Sequence, residues 1–211
     1  MKIVWDNCLV PDSATNSASS LDKLVSSFTK DIWRSTADTE ILFDCTGANA
    51  LYIETNALEG YVEVHGKQYP LNLAFFGRPT GSTYVEFPLS TSVKVFLSGE
   101  VEVGLVWGGI ARDYGETMYP ISDTPTDLSF VKKSINGTII SNKGEIKEEM
   151  SFNVMADMEQ FNRCYYAFKK FGSKKVFLFH EGIYSFGRIS APQFKSEMAY
   201  QVSYGIKITK G

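Results

Sequence analysis

Histidine and cysteine are scarce, with 2 His and 3 Cys among 211 residues. His65 and His180 each fall in a strand-like run with no Cys, Asp or His at metal-ligand spacing, so both read as structural and no metal is expected. Cys8, Cys45 and Cys164 are odd in number and lack a C-x-x-C pair. That pattern predicts neither a disulfide framework nor a zinc site and leaves three small, inert hydrophobic side chains. There is no GxSxG elbow, no P-loop and no GxGxxG, which removes the usual scaffolds of acyl and nucleotide chemistry. No apolar run approaches the roughly 18 residues of a membrane span, and the opening Met1-Lys-Ile-Val-Trp-Asp6 has no signal-peptide pattern. The expectation is a soluble chain made in the cytoplasm, without catalytic residues, cofactor or membrane span.

Aromatic residues are abundant instead, with 15 Phe and 11 Tyr, and flat rings suit the pleated faces of sheets. Ile3-Val4-Trp5 reads as a short strand. The polar run Pro11 to Ser20 reads as a loop, because Ser, Thr and Asn side chains compete with backbone ladders. Leu21, Leu24, Val25 and Phe28 recur at helical spacing for a turn or two. Short β-type runs then follow at Glu40–Asp44, Leu51–Thr55, Gly60–His65, Gln68–Leu73, Thr83–Phe87, Ser92–Ser98 and Glu100–Val106. Gly66-Lys67 and Ser98-Gly99 are read as hairpin turns between successive runs. With no helix long enough for a crossover, these strands predict an antiparallel jelly-roll sandwich over residues 1–115.

Glu116 to Asp127 carries Pro120, Pro125 and a polar run, and reads as a linker. Residues 128–211 predict a smaller antiparallel sheet with one helix. The strands fall at Ser129–Ser134, Thr138–Ser141 (after the hairpin dipeptide Asn136-Gly137), Glu145–Val154, Lys174–His180, Ile183–Ile189 and Phe194–Ile208. The helix spans Ala156–Phe171, with Met158, Phe161, Tyr165 and Phe168 along one apolar face. The fold class expected is thus mainly β.

The formal net charge of −3 hides an asymmetry. Met1 to Asp127 holds 8 Lys+Arg against 17 Asp+Glu, while Leu128 to Gly211 holds 13 against 7. Opposite signs on two halves favour head-to-tail attraction between copies, or docking of each half on a different neighbour. Drift in surface composition explains the same numbers.

Candidate binding residues are few. Acidic pairs such as Glu148/Glu149 and Glu100/Glu102 imitate glycosidase carboxylates but fit solvated strand faces. Trp33 beside Arg34 has the chemistry to stack on a sugar ring and bind its hydroxyls, and is equally suited to plug one end of a sandwich. The basic pairs Lys132/Lys133, Lys169/Lys170 and Lys174/Lys175 offer contacts to phosphate or to an acidic protein. The interleaved Phe168, Phe171 and Phe177 fit a core rather than a base-stacking surface, so an acidic assembly partner is expected there and nucleic acid is not.

Trp33-Arg34-Ser35, Ile41-Leu-Phe-Asp44, Leu51-Tyr-Ile-Glu-Thr-Asn56 and Val103-Gly-Leu-Val-Trp-Gly108 resemble the galactose-binding-like (discoidin, F5/8 type C-like) jelly-roll sandwiches of tailed-phage virion proteins. Phe186-Gly-Arg-Ile189 and the alternating Tyr200 to Ile208 are similar to the companion domain of such proteins. The acidic loop cluster of calcium-binding members and the His-Arg-Arg set of galactose binders have no counterpart. What the resemblance implies is a non-enzymatic tail, tail-tip or baseplate protein of the virion, repeated as a homo-oligomeric ring and contacting other tail proteins. A module that binds a host-surface glycan through Trp33 and Arg34 is the alternative.

Overall fold

The computed structural model describes residues 1–26, 31–73, 81–127, 130–133, 139–142, 146–172, 174–198 and 201–210. Among the described residues it is mainly β, with antiparallel sheets, one α-helix and a short 3-10 turn at Leu21–Val25. In chain order the first strands are β1 (Lys2–Val4), β2 (Leu9–Ala14), β3 (Trp33–Ser35), β4 (Thr39–Thr55), β5 (Gly60–Val64), β6 (Lys67–Pro70), β7 (Gly81–Leu97), β8 (Val101–Gly109) and β9 (Ala111–Asp113). There follow β10 (Glu116–Asp127), β11 (Phe130–Lys133), β12 (Ile139–Asn142), β13 (Ile146–Ala156), α1 (Met158–Phe171), β14 (Lys175–His180), β15 (Ile183–Ile189), β16 (Gln193–Met198) and β17 (Gln201–Lys210). Contacts divide the chain into Val4–Arg112 and a second unit made of Asp113–Gly211 plus Met1–Ile3.

The first unit is a β-sandwich with strand order β3-β8-β4-β7-β5-β6, β2 pairing β4. Two long strands organise it. β4 joins the expected Glu40–Asp44 and Leu51–Thr55 runs without a turn, and β7 likewise joins Thr83–Phe87 to Ser92–Ser98. Their ladder shifts register at Asp44/Ala48 and again at Ala48/Ala50. Pro88, which has no N–H to give a ladder, lies in that bulged stretch, where proline is tolerated. Bulges of this kind bend the strands that carry them. Before the bend β4 alternates, burying Thr39, Ile41 and Phe43; after it, Ala50, Leu51, Tyr52 and Ile53 are all buried. Trp33, Val62, Val95, Leu97 and Val103 complete the fully buried core.

Two expectations about this unit need correction. The Ser98-Gly99 turn does not make a hairpin, because β4 lies between β7 and β8 in the sheet order. Alternation reports which face is buried, not which strand is the neighbour. The polar run Pro11–Ser20 is no free loop either: its first part is β2, paired with β4. The rest is tied down by Thr39 Oγ1 donating to Thr15 O at 2.6 Å and Asn16 Nδ2 donating to Asp38 O at 2.7 Å. The Gly66 hairpin is as expected, with His65 (φ 51°) and Gly66 (φ 73°) between β5 and β6, the paired positive φ of a type I′ turn.

The second unit has the order β10-β13-β17-β15-β14, with β16 on β17 and Lys2–Ile3 of β1 beyond β14. β10 and β1 stand at opposite ends of that order, yet the Met1 amino group, just before β1, donates to Gly115 O, just before β10. The sheet therefore curls back on itself. At the join, Tyr114 N donates to Met1 O at 2.9 Å and Tyr204 Oη donates to Tyr114 O. Gly115 has φ 117°, and a Cβ there would run into the Met155 carbonyl.

The expected linker Glu116–Asp127 is thus strand β10, paired with β13 along nearly its whole length. Its prolines sit at the sheet edge, where a missing donor costs little. The expected Phe194–Ile208 strand is two strands, β16 and β17, that pair with each other, since alternation marks a buried face and not where one strand gives way to the next. β14 and β15 form the expected hairpin through Glu181 (φ 44°) and Gly182 (φ 81°). Asn136-Gly137 lies outside the described residues.

Candidate functional site

Helix α1 begins where Asp157 caps it. Its carboxylate accepts from Gln160 N at 2.6 Å, and the Gln160 side chain accepts from Asp157 N at 3.1 Å, a reciprocal capping box. Ala156, expected in the helix, belongs to β13. The helix rests on β17 through Phe161, whose ring meets Tyr204 edge-on at 5.2 Å, and through Cys164, which is fully buried. Burial pushes the Cys164 thiol up to about 12, against a smaller opposite effect of its Tyr204 hydrogen bond.

Cys164 is the only residue of this 14-residue helix that is fully buried. The apolar stripe expected to face the core is only half covered: Met158 is 40% exposed, and Phe161, Tyr165 and Phe168 are intermediate. Beside them Tyr166 is 66% exposed and Phe194 of β16 is 49% exposed. The rings form a chain, with Phe194 to Phe161 at 5.7 Å, Phe161 to Tyr165 at 6.3 Å and Tyr165 to Tyr166 at 6.3 Å. An amphipathic helix gains most of its stability by burying this stripe. Here much of it meets solvent.

Lysines border the aromatic chain. Lys169 Nζ lies 4.7 Å from the Tyr165 ring centre and 6.0 Å from that of Tyr166. Lys170 and Lys174 approach Phe171 at 4.9 and 5.6 Å, all within cation–π range. Lys169 and Lys170 also sit in the last helical turn, where positive charge complements the backbone dipole. Lys175 stands apart, on β14 over Phe186 at 5.4 Å, with burial and then Arg188 lowering its pKa. Lys132 and Lys133 belong to β11, and their side chains lie outside the described residues. The structure thus gathers Lys169, Lys170 and Lys174 around the half-buried rings of Tyr165 and Phe171 and the exposed ring of Tyr166. Tyr166 and Phe194 were missed in sequence because neither sits on the expected core stripe, although Tyr165-Tyr166 one turn before Lys169-Lys170 was the available signal.

Trp33 is fully buried and donates Nε1–H to Ser17 Oγ at 3.0 Å. Its ring belongs to the sandwich core and has no face open to a sugar, which corrects the stacking reading and leaves the plug. Arg34, on the next position of β3, is exposed and pairs with Glu102 at 2.7 Å.

A second concentration of polar groups lines a cleft in the second unit, formed by Lys2, Glu116, Thr117, Phe179, His180 and Glu181. His180 is buried and its Nε2, like Thr117 Oγ1, has no hydrogen-bond partner; the nearest acid, Glu181, is 3.5 Å away. Burial lowers the His180 pKa, and Glu181 pulls the other way. Tyr119 Oη donates to Glu181 at 2.8 Å. Among the described residues no group of three or more His, Cys, Asp and Glu is placed to hold a metal ion, and no helix is long and apolar enough to cross a membrane.

No family model and no curated protein matches the chain.

Proposed function

We propose that this chain is a non-enzymatic assembly protein whose α1 face is a protein-docking surface. The observation that carries the reading is the chain of rings Phe194, Phe161, Tyr165 and Tyr166, exposed at both ends and half-buried between, with Lys169 across its end. Exposed Tyr and Phe are among the side chains enriched at protein interfaces. The occupant we infer is a second copy of the chain. Val4–Arg112 holds 7 Lys+Arg against 13 Asp+Glu, and the other unit 14 against 11, so a cationic face on one copy finds an acidic surface on the next. At one end of the sandwich Leu58 is 83% exposed beside Glu59 and Glu100, an apolar knob in an acidic setting. Such a contact joins two different surfaces and generates rings or filaments.

The setting we propose, on the resemblance to phage sandwiches, is a ring in the tail, tail tip or baseplate of a virion, among other tail proteins. Mass spectrometry and cryo-EM of purified particles test it: the protein should be present in stoichiometric, symmetric copies, and its absence from purified virions would overturn the setting. Glycan recognition through Trp33 has no comparable support, since the ring is buried.

A further inference from the structure

The sequence gives no hint that Cys8 and Cys45 belong together, but β2 pairs with β4 in a register that sets Leu9 opposite Cys45, making Cys8 a near neighbour. Both side chains are half-buried against the same core. Each is held by a backbone acceptor at the β4–β7 bulge: Cys8 Sγ donates to Gly47 O at 3.3 Å and Cys45 Sγ to Ser90 O at 3.2 Å. The two thiols are also within hydrogen-bonding reach of each other, and their proximity adds to burial in pushing Cys8 up to about 11. Cys8 stands at the entry to β2 and Cys45 on its partner β4, next to a bulge that leaves the backbone room to adjust, so a disulfide between them needs only local movement.

We propose that Cys8 and Cys45 are a redox modification site, a dithiol that a disulfide oxidant such as oxidised glutathione converts to an intramolecular disulfide. The Cys8 thiolate attacks a glutathione sulfur, releasing one glutathione thiolate; the Cys45 thiolate then attacks the Cys8 sulfur of the mixed disulfide and releases the second. Two protein thiols lose two electrons and two protons, and one oxidised glutathione becomes two reduced molecules. Protonation at neutral pH makes the first attack slow and speeds it as pH rises. The bond would staple the start of β2 to the corner of β4. A dithiol in a reducing cytoplasm and a disulfide outside it is the ordinary compartment logic of such pairs.

The full-length protein is incubated with oxidised glutathione at pH 8.5, alkylated, digested without reduction and mapped by mass spectrometry. The expected result is a Cys8–Cys45 cross-linked peptide, with Cys164 still alkylated after unfolding. Cys8→Ser and Cys45→Ser should each abolish the cross-link, and circular dichroism checks that both variants fold. Persistent alkylation of Cys8 and Cys45 in folded wild-type protein, stable mixed disulfides with glutathione, or cross-links only between chains would overturn the proposal.

Discussion

The fully buried Trp33 is tied to the exposed Ser17, the indole Nε1–H donating to the serine hydroxyl at 3.0 Å. Trp33 fills core space that no neighbour can reclaim, so Trp33→Ala should cost about 3–5 kcal/mol of unfolding free energy. Ser17→Ala removes a single hydrogen bond and should cost about 1 kcal/mol. Urea unfolding followed by circular dichroism measures both. A Trp33→Ala loss no greater than that of Ser17→Ala would contradict the plug.

Asp157 caps α1 reciprocally with Gln160. Asp157→Ala should lower stability by about 0.5–2 kcal/mol. Hydrogen exchange should quicken first at the amides of the opening turn, near Gln160.

Two glycines in positive φ predict different outcomes. Gly115 (φ 117°) has no room for a Cβ against the Met155 carbonyl, while Gly66 (φ 73°) has nothing within 4 Å. Gly115→Ala combines backbone strain with a clash at the point where the second sheet curls round, and should cost about 3 kcal/mol or more. Gly66→Ala carries only the left-handed penalty of about 1 kcal/mol. Paired denaturation curves decide, and equal losses would count against the curled sheet.

His180 is kept neutral by burial, its pKa in the fold below the ordinary 6.5. In that window the unfolded chain binds more protons than the folded one, so the sign is fixed. The stability from neutral His180 is fully present above pH 6.5, falls as pH drops below it, and levels once the folded value is passed. His180→Gln should flatten this slope in denaturation curves collected between pH 7 and 5.

Alternation and turn residues made most strand positions legible, because burial of one face imposes a period of two on β5, β13 and β17 whatever their partners. The hairpins at His65-Gly66 and Glu181-Gly182 were legible for the same local reason. Pairing was not. The separation of β7 from β8 by β4, the recruitment of Met1–Ile3 into the second sheet and the conversion of Glu116–Asp127 from linker to strand all depend on distant segments. The α1 face was half legible: period and cap marked the helix, but only the structure separates the side of Cys164 from the exposed side of Tyr166.

Tyr166 gives the most direct test of an α1 docking face. Its reactivity towards a tyrosine-modifying reagent is compared in the dilute free chain and in purified particles or the self-assembled protein, read by peptide mass spectrometry against the exposed Tyr119. Assembly through α1 predicts strong protection of Tyr166, lost when Lys169 and Lys170 are both changed to Glu. Equal modification of Tyr166 in the free and assembled states would contradict it.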